Sequence, residues 1–106
     1  MPKYLFKASY MPAGAQGLMK EGGTSRRDTI RKLAETSGGK LESFYFAFGE
    51  TDAYDTVDVP NHSTAAAIAL AVNSSNATRV TTVVLMTPEE IDEASRTTVE
   101  YRAPGT

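Results

Sequence analysis

Residues 40–59, KLESFYFAFGETDAYDTVDV, decide the fold of this chain, because they have the pattern of a β-hairpin. Residues 41–48 are rich in aromatic and small residues, as is typical of a strand inside a sheet. Residues 49–52, Gly-Glu-Thr-Asp, supply turn residues, and residues 53–59 return as a second strand that ends at Pro60. The stretch therefore predicts two antiparallel strands joined by a short turn.

The first strand of this hairpin carries apolar side chains on both faces. Strict alternation puts one set on one face and the other set opposite: Leu41, Ser43, Tyr45 and Ala47 against Glu42, Phe44, Phe46 and Phe48. A strand that is apolar on both sides must be covered on both sides. A chain of 106 residues has few elements with which to do so.

The composition indicates one domain and excludes several kinds of site. A chain of 106 residues can bury one core but not two. No cysteine is present, which excludes disulfides and thiolate catalysis. His62 is the only histidine, so a multi-histidine metal site is excluded unless subunits pool their ligands. We expect neither a metal nor a cofactor.

The charge and hydropathy of the chain bear on its partners and compartment. Eleven basic and thirteen acidic residues leave a formal charge of −2, which offers no electrostatic footprint for nucleic acid or an anionic membrane. The amino terminus has no apolar signal-peptide core, and no apolar run approaches membrane-spanning length. We therefore expect a cytoplasmic protein without a nucleic-acid or membrane partner.

Further elements are predicted on both sides of the hairpin. The strands are residues 3–10 and 79–86, and the helices are residues 13–21, 25–36, 64–72 and a short acidic helix capped by Thr87. The second helix starts with Ser25 and Asp28 in capping-box spacing. The alanine-rich helix, TAAAIALAV, is expected to be mostly buried. We expect residues 1–96 to form the domain and residues 97–106 a C-terminal tail.

The order of these elements predicts the α+β class and a ferredoxin-like β-α-β-β-α-β sandwich. Two right-handed crossovers give a four-stranded antiparallel sheet with helices on one face. Nothing left in the chain can cover the other face, whereas a second sheet can. We therefore predict a homodimer, or a higher oligomer built from it, in which two sheets pack face to face as a dimeric α/β barrel.

Several segments together match one family. They are KYLFKASY at residues 3–10, GGTSRR at residues 22–27, GGKLESFYFAFG at residues 38–49, the step at Pro60 into an alanine-rich helix, and TTVVLMTPEE at residues 81–90. With these segments, residues 2–95 resemble the GYD domain family, small proteins of dimeric-barrel type found mainly in bacteria. The resemblance implies the fold and a dimer but no reaction, since the family has no common established activity.

The name-giving motif of that family falls on the hairpin, where two alignments compete. Thr51-Asp52 keeps the spacing between the turn and Pro60 and is the preferred position, whereas Tyr54-Asp55 lies two or three residues later. Asp52 is a candidate acid, base or ligand-orienting group at the mouth of a barrel. The alternative is a turn in which its carboxylate accepts hydrogen bonds from nearby backbone N–H groups. Asp55 is a further ligand-binding candidate.

Two arginines form a second candidate site. Arg26 and Arg27 follow a glycine-rich break and open a helix, an arrangement that can hold a phosphate or carboxylate. The segment lacks the Lys-Ser/Thr ending of a P-loop, and no strand precedes it directly. The alternative is a pair of solvated arginines, or arginines that bind carboxylates of another subunit.

His62 and Tyr45 complete the candidate residues. His62 lies at a helix start and is a candidate general base, although a capping or surface role is the alternative. Tyr45 and the other strand tyrosines could line a pocket with their hydroxyls, or could belong to the core and the dimer interface. We expect any ligand to be small and to bind inside the barrel or at its rim.

Two functional classes agree with these observations. One is a homodimeric small-ligand-binding or assembly module, which the lack of an obvious nucleophile–base pair favours. The alternative is a small cofactor-independent enzyme of the monooxygenase-like dimeric-barrel type that acts on a small organic substrate, an analogy of fold alone. No catalytic residue is assigned.

Overall fold

The computed structural model describes residues 1–106 and contains four strands and four helices. In chain order these are β1 (Lys3–Tyr10), α1 (Pro12–Glu21), α2 (Gly23–Thr36), β2 (Lys40–Phe46), β3 (Ala53–Asp58), α3 (His62–Ser74), β4 (Thr78–Leu85) and α4 (Pro88–Ser95). The strands form one antiparallel sheet in the order β2-β3-β1-β4. This is the predicted ferredoxin-like α+β arrangement, and the sheet of one chain stays open rather than closing into a barrel.

The hydrophobic core lies between one face of the sheet and helices α2 and α3. Its buried members are Tyr4 and Phe6 of β1, Ala34 of α2, Val57 of β3, Val59, and Ala65 and Ile68 of α3. The two alanines are small enough to let their helices lie close to the sheet. No helix contributes to the core from the opposite face, which we call the open face.

A register irregularity in β2 corrects the predicted faces of the hairpin. Leu41 pairs with Val57 and Ser43 pairs with Thr56, so Glu42 is an extra residue between them. A bulge of this kind shifts the alternation by one position. Leu41 therefore packs against the core instead of sharing the face of Ser43.

The aromatic residues of the hairpin divide accordingly. Phe44 and Phe46 stand opposite core-facing positions of β3 and contact each other edge to face, with ring centroids 5.0 Å apart. Tyr45 occupies the open face and is 72% exposed. The strand ends at Phe46, so the prediction that it extends to Phe48 is wrong, and Phe48 is fully exposed beyond it.

The start of α2 also differs from the prediction. The helix begins at Gly23, with Gly22 at a φ of 88° as its N-cap, and no side chain caps it. The predicted capping box of Ser25 and Asp28 is wrong, because the glycine pair lets the helix start two residues earlier. The Asp28 carboxylate instead accepts hydrogen bonds from Arg27 and Arg31.

Helix α3 begins at His62, two residues before the predicted start, and is less buried than predicted. The Asn61 side chain caps it by accepting a hydrogen bond from the Thr64 backbone N–H at 2.9 Å. Ala65 and Ile68 are its only buried residues, whereas Ala66 is exposed and Leu70 is 71% exposed. One stripe of the helix meets the sheet, and the rest faces away from it.

The buried Ala65 and the exposed Ala66 allow a matched pair of substitutions in α3. We expect Ala65→Leu to destabilise the fold by about 1–3 kcal/mol, because three extra carbon atoms must enter a packed layer. The neighbouring Ala66→Leu adds the same atoms at an exposed position and should stay within about 0.5 kcal/mol of the wild type. Urea unfolding of both variants measures the difference, and equal stabilities would contradict the placement of α3.

Helix α4 and the residues after it contribute no side chain to the buried core. Thr87 and Glu90 form a capping box at the start of α4. Every residue from Pro88 to Thr106 is exposed, and the longest dimension of the chain is 57 Å. None of the four helices combines the length and the apolar character needed to cross a bilayer.

Candidate functional site

A carboxylate in the core marks the candidate site. Alternation along β3 directs Ala53, Asp55 and Val57 toward the helices, so an acid occupies a position where an apolar residue would be usual. Asp55 lies between Phe6 of β1 and Phe44 of β2 in the sheet. It is 5% exposed, and its Oδ1 atom has no hydrogen-bond partner. Buried polar atoms without partners are rare and destabilising.

Asp55 faces a small cavity between the sheet and helices α2 and α3, which we call the inner cavity. Its polar wall consists of Asp55, Arg26 of α2, and Tyr10 and Thr78 at strand ends. Its other walls are apolar and include Phe44 and Ile68. The free volume is about 30 Å³. At roughly 10–15 Å³ for each water, it can hold about two water molecules.

Arg26 is the second unpaired polar group of the inner cavity. It lies in the first turn of α2, and its buried Nε atom has no hydrogen-bond partner. Its guanidinium carbon is 5.9 Å from the centroid of the Tyr10 ring, within cation–π distance. A buried donor on Arg26 and a buried acceptor on Asp55 therefore line the same small space.

The surroundings change the acidity of two cavity groups. Burial raises the pKa of the Asp55 carboxyl from 3.8 to about 7, although the nearby positive charge of Arg26 acts in the opposite direction. Burial also raises the pKa of Tyr10, against the influence of Arg26. Near neutral pH, Asp55 can therefore donate or accept a proton, while Tyr10 stays neutral.

A larger depression begins on the other side of Tyr10, and we call it the outer groove. It lies between α1 and the turn of the hairpin, and its volume is about 480 Å³. Apolar side chains dominate it, including Leu18, Met19, Phe46 and Phe48. Tyr10 lines both the outer groove and the inner cavity, so the two spaces adjoin at this residue.

Asp52 lines the outer groove and connects the hairpin turn to β1. Its Oδ2 atom accepts a hydrogen bond from the backbone N–H of Tyr10 at 2.8 Å. Its own backbone N–H donates to the carbonyl of Ala8 at 2.8 Å. These two bonds fix the end of β1, and therefore the backbone of Tyr10, against the turn.

The other predicted site residues lie elsewhere. His62 begins α3, and its Nδ1 atom is 2.5 Å from the hydroxyl of the buried Tyr4, beside a separate depression between α3 and β4. Arg27 binds the carboxylate of Asp28 on the helix surface. Tyr45 lies on the open face opposite Tyr54. No group of three histidine, aspartate or glutamate side chains is arranged to hold a metal ion.

Two of the six predicted residues, Asp55 and Arg26, thus share a cavity within one chain. Thr78 is a polar cavity residue that the sequence analysis did not select, whereas Tyr10 was among the strand tyrosines expected to line a pocket or the core. The signal of Tyr10 was its position at the end of an alternating apolar series, Tyr4, Phe6, Ala8, Tyr10. A tyrosine that continues such a series places its ring on the core side of the sheet.

The family model of the GYD domain matches residues 4–95. The chain belongs to the GYD domain family. The GYD match covers the sheet except for Lys3, all four helices and the polar residues of the inner cavity. No curated protein and no solved structure matches the chain at a significant level. Of the two positions considered for the aspartate of the GYD motif, Asp52 lies in the outer groove and Asp55 in the inner cavity.

Proposed function

We propose that this GYD domain protein is a homodimeric small-molecule-binding module that holds a polar group of its ligand in the inner cavity. The observation that carries the proposal is the pair of unpaired buried atoms, Oδ1 of Asp55 and Nε of Arg26. Both face a space with apolar walls, the usual composition of a ligand pocket.

The energetics of the cavity support a binding role. An apolar side chain in place of Asp55 would pack between Phe6 and Phe44 without a desolvation penalty. The acid instead raises the free energy of the folded state, and a polar partner would offset that cost. A buried acid that destabilises the fold when it has no polar partner is expected at a site where a ligand supplies that partner.

The ligand site is tested by a thermal-shift screen of small metabolites against the wild type and Asp55→Asn. A ligand that binds only the folded state stabilises it by roughly 2.7 kcal/mol at 100 times its Kd. We expect at least one compound to raise the Tm of the wild type and to lose most of that shift in the variant. Asp92→Asn, which changes an exposed carboxylate on α4, is the control and should respond like the wild type. Equal shifts in all three proteins would contradict binding at Asp55.

The dimer is supported by the composition of the open face. Leu5, Tyr45, Tyr54, Val83 and Leu85 supply apolar area there, and no helix of the chain covers them. A second copy of the same face, packed sheet to sheet, would remove this area from water at a gain of roughly 25 cal/mol per Å². Face-to-face packing of this kind is well known for pairs of antiparallel sheets with apolar inner faces.

We expect Val83→Asp and Tyr54→Asp to convert the protein to a monomer. Each places a charge at the proposed contact between sheets, where the cost of removing that charge from water opposes association. The matched control, Ala67→Asp, adds the same charge to the exposed side of α3 and should leave the dimer intact. Light scattering at micromolar concentration gives the mass of each protein. A monomeric wild type, or dimeric variants on the open face, would contradict this interface.

The pKa of Asp55 favours a second candidate, a small enzyme that uses this residue in proton transfer. A carboxyl with a pKa of about 7 is suited to general acid–base catalysis at neutral pH. In that case, a bound substrate should be turned over at a rate that increases as the pH rises through about 7, because the base is the deprotonated form. Asp55→Gln or Asp55→Asn would then bind the substrate without turnover, whereas a binding module would leave every bound compound unchanged.

A further inference from the structure

The two unpaired atoms of the inner cavity restrict the chemistry of the group that fits between them. At neutral pH, Oδ1 of Asp55 accepts a hydrogen bond and Nε–H of Arg26 donates one. A hydroxyl group can donate to the first and accept from the second. A ligand carboxylate would satisfy Arg26 but repel an ionised Asp55, and an ammonium group would satisfy Asp55 but repel Arg26.

A hydroxyl also matches the other protonation state of the carboxyl. When Asp55 is protonated, the cavity presents two donors, and the oxygen of a hydroxyl has two lone pairs with which to accept from both. A neutral hydroxyl therefore pairs both protein groups on either side of the Asp55 titration. An entirely apolar ligand would leave both atoms without a partner.

The size of the two spaces restricts the rest of the ligand. The inner cavity has about 30 Å³ of free volume, whereas the outer groove has about 480 Å³. A molecule larger than its hydroxyl group must therefore extend out of the inner cavity, and Tyr10 is the polar residue that this cavity shares with the outer groove. Beyond Tyr10 it meets Leu18, Met19, Phe46 and Phe48, an apolar surface.

Resting on the proposed function, we propose that the ligand class is an apolar molecule that carries one neutral hydroxyl. The hydroxyl lies between Asp55 and Arg26 in the inner cavity. The apolar body passes the Tyr10 ring and occupies the outer groove. Met19 and Phe48, which are 87% and fully exposed, are then covered by the ligand.

The test is a titration of the wild type at pH 7 with four probes that share one ring system. They are 2-naphthol, 2-naphthoate, 2-naphthylmethylammonium and 2-methylnaphthalene. Binding of each probe is measured by intrinsic fluorescence or calorimetry. We expect 2-naphthol to bind at least 10-fold more tightly than the other three. Tighter binding of the carboxylate, the ammonium or the hydrocarbon, or no binding of 2-naphthol, overturns the hydroxyl class.

Two sets of variants separate the two halves of the site. Asp55→Val removes the acceptor with a residue suited to a strand, and we expect it to weaken 2-naphthol at least 10-fold. Met19→Ser and Phe48→Ser change exposed side chains of the outer groove, and each should weaken 2-naphthol at least 3-fold while leaving the Tm of the free protein unchanged. Leu70→Ser, an exposed residue of the separate depression beside α3, is the control and should bind like the wild type.

The outcomes distinguish the ligand class from the proposed function. If Asp55→Val binds 2-naphthol as the wild type does, the placement of the hydroxyl is overturned. If Met19→Ser and Phe48→Ser both bind normally, the placement of the body in the outer groove is overturned. The proposed function fails separately, when no compound of the metabolite screen depends on Asp55.

Discussion

Wild-type stability should fall by up to about 4 kcal/mol as the pH rises from about 4 to about 7, and Asp55→Asn should remove this fall. The carboxyl has a pKa of about 7 in the folded protein, whereas its ordinary value is 3.8. Between these values the folded state binds more protons than the unfolded state, so the free energy of unfolding decreases with rising pH. At about 1.4 kcal/mol for each pH unit, the window gives the stated magnitude. Below pH 4 and above pH 7 the contribution of Asp55 is constant.

The measurement is urea unfolding of both proteins at several pH values between 3.5 and 8.5. Other titrating groups are common to the two proteins, so the difference between their free energies of unfolding isolates Asp55. We expect the free energy of unfolding of the variant minus that of the wild type to be larger above pH 7 than at pH 4. A difference that does not change with pH would show that Asp55 is not held in an apolar environment.

Arg26→Met provides an independent check on the same site. The positive charge of Arg26 lowers the pKa of Asp55, so its removal should raise that pKa further. The fall in stability should then continue above pH 7, and it should disappear in the double variant with Asp55→Asn. An unchanged pH profile in Arg26→Met would contradict the electrostatic contact between the two residues.

Gly14→Ala should destabilise the protein by about 3 kcal/mol or more, although the same change three residues later in the helix should stabilise it. A Cβ atom at Gly14 would lie 2.0 Å from the backbone carbonyl oxygen of Ala77, and backbone cannot move aside as a flexible side chain can. Helix α1 would have to leave the end of β1, where Met11 also binds this oxygen at 2.9 Å. The cost therefore exceeds the gain in helix propensity.

Gly17→Ala is the matched control within the same helix. Nothing lies within 4 Å of a Cβ atom at Gly17, so alanine should gain about 0.5–1 kcal/mol through helix propensity. Thermal unfolding of the two variants should therefore move the Tm in opposite directions. If Gly14→Ala raised the Tm as well, the close contact between α1 and the segment before β4 would be wrong. The same variant should weaken ligands of the outer groove, because α1 forms one side of it.

The order of elements was predictable because it depends on local patterns. Alternating apolar residues at positions 3–10, the hairpin signal and the alanine-rich helix each follow from side-chain periodicity and turn chemistry within a few residues. The ferredoxin-like topology then follows from the order and from the handedness of crossovers. The bulge at Glu42 was not predictable, because it depends on which residues of β3 form the opposite strand.

The sequence by itself determined which residues can carry chemistry, and it included both Asp55 and Arg26 among them. The tertiary structure alone decided that these two line one cavity, while Asp52 holds the backbone of Tyr10 and His62 lies beside a different depression. The physical reason is distance along the chain: Arg26 comes to the cavity beside Asp55 only when α2 packs on the sheet, where it lies against β2. Local periodicity assigns a residue to a face of its own element, but only the packing of the elements decides which faces meet.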